Sequence, residues 1–262
     1  MEIAGYAAAI LIGLSLGLIG GGGSILTVPI LVYFFKIDPV IATTYSLFVV
    51  GLSSSAGAIS HYRKENVNLK IALIFGIPSL IAVFIMRKWV MPAMPYHLLN
   101  IGSFEITKPV LLMLVFAVLM LAASFSMIRK KKEVLISDSH LSYTKLVLQS
   151  IVVGIITGFV GVGGGFLIIS SLVLFAGLPM KKAVGTSLMV MTISSLLGVL
   201  GDVSRHAPIN YMFLMFFSAF AIAGIIAGSY LTKYITDTKL KPAFGLFVLL
   251  MGFFVLITTL TK

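Results

Sequence analysis

Long apolar segments separated by short polar ones make up almost the whole chain. The apolar segments fall at roughly 3–35, 40–60, 70–91, 109–128, 146–176, 182–200, 211–231 and 243–261. Six of them have the length of about 20 residues that one membrane-spanning helix needs. The segments 3–35 and 146–176 are too long for one ordinary crossing. The pattern predicts an all-α integral membrane protein.

Glycines interrupt both of the long segments. Each segment is therefore either a long tilted helix that crosses once or a hairpin that returns to the side it entered. Non-helical backbone is tolerated inside a membrane only where protein or water satisfies its polar groups. The glycines are Gly20, Gly21, Gly22 and Gly23 in the first segment, and Gly161, Gly163, Gly164 and Gly165 in the second.

The distribution of basic residues favours the hairpins, because Lys and Arg concentrate on the cytoplasmic side. Two single crossings would divide the 19 Lys and Arg residues ten to nine, whereas two hairpins divide them 13 to six. The hairpin interpretation places both termini outside and the "RKKK" segment at 129–132 in the cytoplasm.

An internal repeat appears when the chain is shifted on itself by 141 residues. Segment 13–57 then aligns with 154–198 without a gap, with glycines and serines in register. Each half holds one glycine-broken helical hairpin and three transmembrane helices. Three crossings are an odd number, so the halves are expected to form an inverted-topology repeat. The expected domains are 1–128, a cytoplasmic linker 129–145, and 146–262.

Composition agrees with a membrane protein and excludes several other classes. Hydrophobic residues form 59% of the chain and charged residues 10%, whereas soluble domains carry about 25% charged residues. The net charge of +11 lies mostly in loops, which favours a topological role over nucleic-acid binding. There is no cysteine, and the four histidines lack metal-ligand spacing, so no cofactor and no metal are expected. The N-terminus is expected to be a retained span, not a signal peptide.

The glycine clusters are the first candidate binding site. A glycine turn that opens a new half-helix exposes free N–H groups and the positive end of a helix dipole, which suits an anion. The alternative is a purely structural turn. Spacing of four on one helix face instead indicates close helix packing for Gly13, Gly17, Gly154 and Gly158. The candidate substrate-binding residues at the tips are Gly20, Gly21, Gly22, Gly23, Ser24, Gly161, Gly163, Gly164 and Gly165.

A second candidate element follows each hairpin, as "ATTYSL" at 42–47 and "AVGTSL" at 183–188. Its hydroxyls predict substrate-binding roles for Thr44, Ser46, Thr186 and Ser187. The alternative is that such hydroxyls bond back to their own helix backbone. The serines two turns further on are expected to serve helix packing; they are Ser53, Ser54, Ser194 and Ser195.

Charged residues are expected only at the membrane surfaces. Arg87 and Lys88 beside Trp89 suggest an interfacial anchor, and Asp202, Arg205 and His206 are expected in a solvated outer loop. Intramembrane carboxylates usually mark proton or cation coupling. Their expected absence suits an anion that is held by N–H and hydroxyl dipoles.

The segment "GFVGVGGGFLIISSLVLFAGLPMKKAVGTSL" at 158–188 and its degenerate first copy "GLIGGGGSILTVPILVYFFKIDPVIATTYSL" resemble the TauE/SafE-type sulfite and sulfonate exporters, also called the 4-toluene sulfonate uptake permease family. The resemblance implies a multi-pass protein of the cytoplasmic membrane that transports a small sulfur-containing or organic anion, usually outward. It implies no enzyme activity and no particular coupling ion. The first copy departs from the pattern, with Thr44 and Tyr45 where the second has Gly185 and Thr186.

The expected function is therefore a secondary transporter of a small anion, such as sulfite or a sulfonate, that works by alternating access. Its expected partners are that anion and the lipid bilayer, with no nucleic acid. The alternatives are a passive anion channel of the same fold and the membrane subunit of a sulfur-metabolising redox complex. The lack of cysteine and of paired histidines counts against the redox subunit.

The charge distribution makes a testable prediction about topology. Because the chain has no cysteine of its own, single cysteines can be added one at a time and labelled from outside the cell. An impermeant maleimide should reach cysteines at positions 1, 100 and 262, but not at 131 or 239. Protected termini with labelled positions 131 and 239 would contradict the hairpin topology.

Overall fold

A computed structural model describes residues 2–101, 104–128, 143–203, 210–231 and 237–261, and they are almost entirely helical. The first half holds α1 Glu2–Ile19, a 3₁₀ helix Gly21–Leu26, α2 Thr27–Pro29, a π-helical turn Ile30–Phe34, α3 Pro39–Arg63, α4 Leu69–Ile85, a π-helical turn Met86–Val90, α5 Met91–Ala93, strands β1 His97–Ile101 and β2 Phe104–Thr107, and α6 Lys108–Ile128. The second half holds α7 Tyr143–Val160, α8 Gly165–Ala176, α9 Met180–Val203, α10 Tyr211–Leu231 and α11 Asp237–Leu260.

Six helical stretches in the described part of the chain are long and apolar enough to cross a membrane, which confirms a multi-pass membrane fold. Shorter apolar helices include the two arms of the first long segment. The six stretches are Pro39–Arg63, Leu69–Ala93, Lys108–Phe125, Tyr143–Val160, Met180–Asp202 and Tyr211–Leu231.

The first long segment is a hairpin. Helix α1 ends at Ile19, and the next residue, Gly20, has a φ of 77°, a value that favours glycine. The chain then runs back along α1, so that the ring of Phe35 lies 6.0 Å from that of Tyr6. We call residues 21–34 the return arm. Pro29 has no N–H to donate, so a regular α-helical ladder cannot run through this arm.

The second long segment also reverses, between α7 and α8. Gly161, Gly163 and Gly164 all have positive φ angles, from 65° to 77°. Gly164 lies against Thr157 of α7, so that α8 starts back along the helix that precedes it. Three positive φ angles within four residues are accessible at low cost only to glycine.

The glycines spaced by four pack helices together, as predicted. Gly13 and Gly17 of α1 lie against the backbone of α10 at Ala221 and Ile225, whereas Gly154 of α7 lies against Ser79 of α4. Gly158 follows one turn later against Val83 and Met86. Each hairpin is therefore anchored on a helix of the other half.

Contacts between the halves occur in pairs related by the 141-residue shift. Gly57 of α3 contacts Leu188 of α9, and Gly198 of α9 contacts Leu47 of α3. These two contacts make α3 and α9 antiparallel. Helices α6 and α11 are antiparallel as well, since Gly245 lies against Ile128 and Gly252 against Leu121. That the two halves are inverted copies stays a prediction, which these antiparallel pairs support.

Two local features differ from the expected all-helical pattern. Strands β1 and β2 form a small antiparallel hairpin in a segment for which no strand was predicted. Helix α7 begins at Tyr143, so the last residues of the predicted linker 129–145 are helical, and 129–142 lie outside the described residues.

The packing of α1 on α10 predicts opposite effects for one substitution at two helical glycines. A Cβ on Gly17 would lie 2.5 Å from the carbonyl oxygen of Ile225, whereas a Cβ on Gly76 would find its nearest neighbour 3.7 Å away. Gly17→Ala should therefore destabilise the protein by about 1–3 kcal/mol. Gly76→Ala should be neutral or stabilising by roughly 0.5–1 kcal/mol. Melting temperatures of the purified proteins in detergent test this, and equal shifts would contradict the packing.

Candidate functional site

The two glycine turns meet inside the protein. A Cβ on Gly21 would overlap the backbone of Gly165, and a Cβ on Gly165 would overlap that of Gly21. Gly20 and Gly161 occupy matching positions of the repeat and share a φ of 77°. We call segments 20–24 and 161–165 the first and second tips. Their backbones touch, so a ligand between them requires the tips to separate.

Each tip is also held by the helix that follows the opposite hairpin. Gly20 lies against Val184 of α9, and Gly161 lies against Thr43 of α3. Val184 and Thr43 are themselves 141 residues apart. Gly163 faces the middle of the α3–α9 pair, where its Cβ position is 3.5 Å from the hydroxyl of Ser195.

Several predicted donors are engaged locally. The Ser24 hydroxyl donates to the Gly21 carbonyl at 2.8 Å, the Ser187 hydroxyl donates to the Val184 carbonyl at 2.8 Å, and the N–H of Gly161 donates to the Thr157 carbonyl at 2.8 Å. Donors that remain at the tips include the first N–H groups of α8, which by position have no partner within their own helix.

Thr186 has a structural partner outside its own helix. Its hydroxyl oxygen accepts the N–H of Asn68 at 3.0 Å, at the start of α4. Tyr45 stands at the matching position of the first half, and its hydroxyl accepts the N–H of Asn210 at 2.7 Å, before α10. The two copies therefore use different side chains at this position for the same purpose, which is to accept a backbone N–H at or just before the start of another helix.

Several buried hydroxyls have no hydrogen-bond partner among the described residues. They include those of Thr27, Ser46, Ser54, Thr157 and Ser195. Ser46 is one of the predicted site residues, whereas Ser54 and Ser195 were assigned to packing. Thr157 and Ser195 lie beside the second tip. The signal that could have found Ser54 and Ser195 is their recurrence at matching positions of the repeat.

The largest departure from the sequence prediction is Arg87. This residue is 1% exposed, and its Nη1 donates to Asp202 Oδ2 at 3.1 Å and to Thr43 Oγ1 at 3.0 Å. For Arg87 the expectation of an interfacial anchor was wrong, because the helical stretch continues beyond Trp89 to Ala93 and α9 brings Asp202 against it.

Asp202 is likewise not in a solvated loop, as had been expected, but in the last turn of α9. Its carboxylate accepts from the Thr44 hydroxyl at 2.8 Å as well as from Arg87. The predicted site residue Thr44 therefore takes part in a charged network. Arg205 and His206 lie outside the described residues.

The corresponding place in the other half of the repeat is packed without an ion pair, since Gly185 of α9 lies against His61 of α3 and Asn66. A cavity of about 390 Å³ lies between the ends of α3 and α10 and includes Ser60, Arg63, Lys64 and Ser229 in its lining. We call it the end cavity. Under the 141-residue shift, Ser60 and His61 correspond to Gly201 and Asp202. One end of the central helix pair is therefore closed by the Arg87–Asp202 ion pair and the other by uncharged packing, with the end cavity on the α10 side of α3.

A multi-pass helical fold with two glycine turns in contact at its centre is typical of a membrane transporter. The chain belongs to the sulfite exporter TauE/SafE family, whose model matches residues 6–255. It is 30% identical over 253 residues to a probable membrane transporter protein of Xylella fastidiosa, covering 94% of this chain and 91% of that one. It is 28% identical over 249 residues to the probable membrane transporter protein YdhB of Bacillus subtilis, covering 94% and 96%. No solved structure matches the chain.

The hydrogen bond between Thr186 and Asn68 predicts a loss of stability when the hydroxyl is removed. Thr186→Val leaves the N–H of Asn68 without its acceptor and should cost about 1–3 kcal/mol. Thr186→Ser keeps the oxygen and is the matched control. Thermal melting in detergent measures both, and a Thr186→Val protein as stable as the Ser variant would show that this bond contributes nothing.

Proposed function

We propose that this family member moves a small oxyanion or sulfonate, such as sulfite or sulfoacetate, outward across the cytoplasmic membrane by alternating access. The observation that carries the proposal is the contact of the two glycine tips. A half-helix that starts inside the membrane presents N–H groups and a positive dipole end to whatever lies before it. Two such tips from opposite halves can form one anion site when they separate.

Alternating access requires two halves that can exchange roles, and we propose that they are inverted copies. The antiparallel pairing of α3 with α9 supports this, because these helices occupy matching positions in the repeat. The anchoring of each hairpin on a helix of the other half also supports it, since the contact of α1 with α10 matches that of α7 with α4.

The two ends of the central helices are closed by different contacts, which supports entry from one side and exit from the other. The end cavity lies beside Arg63 and Lys64, which the charge distribution places on the cytoplasmic side. The opposite end is closed by Arg87 and Asp202. An anion would enter from the cytoplasm through the end cavity once the uncharged packing beside it opens, and would leave after the tips and the ion pair rearrange.

The chemistry of the central region favours an anion over a cation. The tip N–H groups and the hydroxyls of Ser46, Thr157 and Ser195 can all donate hydrogen bonds. The carboxylate of Asp202 already has Arg87 and Thr44 as partners. Within the described ranges, no group of three or more His, Asp and Glu side chains could hold a metal ion.

Flux into proteoliposomes tests the proposal. Liposomes that contain the protein should take up radiolabelled sulfite with saturating kinetics, and uptake should accelerate when unlabelled sulfite is present on the opposite side. A passive channel would show neither saturation nor this acceleration. No transport of sulfite, sulfate, sulfoacetate, taurine or a carboxylate above empty liposomes would contradict the proposed function.

The same substitution should affect transport differently at two glycines that share a positive φ angle, because only one of them lies in a tip. Gly164 and Gly177 have φ angles of 65° and 61°, but only Gly164 lies in a tip, and nothing lies within 4 Å of a Cβ on Gly177. A Cβ at either position costs roughly 1 kcal/mol in this conformation. Gly164→Ala should therefore reduce transport per folded molecule far more than Gly177→Ala. Equal transport by both variants would make the tips ordinary turns.

A further inference from the structure

The guanidinium of Arg87 is only partly used by its neighbours. Its Nη1 donates to both Asp202 and Thr43. Its Nε and Nη2 atoms are buried and have no hydrogen-bond partner among the described residues. Native proteins rarely leave buried donors unpaired, and least of all donors of a charged group.

The two unpaired atoms lie on one edge of the guanidinium. Nε and Nη2 direct parallel N–H groups outward, which is the arrangement that binds two oxygens of a carboxylate, sulfonate or phosphate at once. Asp202 approaches at Nη1 and does not contact this edge, which is buried in the present state. The side chain therefore keeps a charged, two-pronged donor that nothing in the described protein uses.

We propose that Arg87 binds the transported anion through its Nε and Nη2 edge, beside the second tip. This inference deepens the proposed function and depends on it. Thr43 joins the two features, because its hydroxyl accepts from Arg87 and its backbone packs against Gly161. Gly158, at the end of the helix that leads into the tip, packs against Met86, the neighbour of Arg87.

Asp202 acts as the counterion of Arg87 when no substrate is bound. A lone buried guanidinium is costly, and the carboxylate, itself 14% exposed, offsets that cost. Once an anion occupies the free edge, two negative charges face one positive charge. The carboxylate therefore weakens anion binding and favours release.

The matching position in the other half does not carry an arginine. The position that matches Arg87 in the second half, one residue beyond the 141-residue shift, is Ser229 in the lining of the end cavity. The ion pair therefore closes one end of the central helices, and uncharged packing closes the other. An anion that enters by the end cavity and passes the tips reaches Arg87 before it leaves.

Calorimetry of sulfite binding to the purified protein tests whether Arg87 binds the anion or only forms a structural ion pair with Asp202. Arg87→Lys keeps the charge but loses the two-pronged edge, so sulfite should bind roughly tenfold to a hundredfold more weakly. Asp202→Asn removes the competing charge and should bind sulfite as tightly as the parent or several-fold more tightly. Asp38→Asn is the matched control, because Asp38 is an exposed helix cap that Asn replaces well.

The double variant Arg87→Gln with Asp202→Asn decides between the two roles. If Arg87 serves only to neutralise Asp202, removal of both charges restores the binding and transport that Arg87→Gln loses. The proposal expects no recovery in a protein that still elutes as a folded species.

Parental affinity in Arg87→Lys, or full recovery in the double variant, would overturn the proposal for Arg87. The proposed function would still stand in that case if the parent protein transports sulfite. A parent protein that neither binds nor transports sulfite, sulfate, sulfoacetate, taurine or a carboxylate would overturn both the role of Arg87 and the proposed function.

Discussion

The backbone contact between Gly21 and Gly165 is the constraint on which the rest of the structure depends. Two chain reversals inside an apolar environment can touch only if neither carries a side chain at the point of contact. Each reversal in turn needs positive φ angles, which Gly20, Gly161, Gly163 and Gly164 supply. The hairpins, their anchoring helices and the central α3–α9 pair are all arranged around this contact.

That contact also explains why each half depends on the other. The first tip is held by Val184 and the second by Thr43, so neither tip is completed by its own half alone. Movement of one half relative to the other must therefore change both tips together. This coupling is what an alternating-access mechanism requires of two packed halves.

Much of this architecture could be predicted from the sequence. Glycines can be located by inspection, and their spacing distinguishes packing faces, such as Gly13 and Gly17, from turns, such as Gly20 to Gly23. The distribution of basic residues likewise favoured two hairpins, and the 141-residue shift predicted a pairing of halves. These predictions depend on local geometry and on chain length, which a sequence displays directly.

The prediction failed where partners come from distant parts of the chain. Hydropathy places Arg87 at the end of a span, but the helical stretch continues to Ala93, and α9 brings Asp202 against it. Thr186 likewise has a partner, Asn68, that lies 118 residues away. No local pattern encodes such pairings, because a hydroxyl or a charge shows its partner only in three dimensions.

The central claim is that the two ends of the α3–α9 pair open alternately. Ala56, in the lining of the end cavity, and Leu197 occupy matching positions of the repeat, so single cysteines there report on the two ends. The most direct test measures how fast an impermeant maleimide labels Ala56→Cys and Leu197→Cys in membranes with and without saturating sulfoacetate, which, unlike sulfite, does not react with the maleimide. The account predicts that sulfoacetate changes the two rates in opposite directions. Rates that rise or fall together, or that do not change while sulfoacetate is transported, would contradict alternating access.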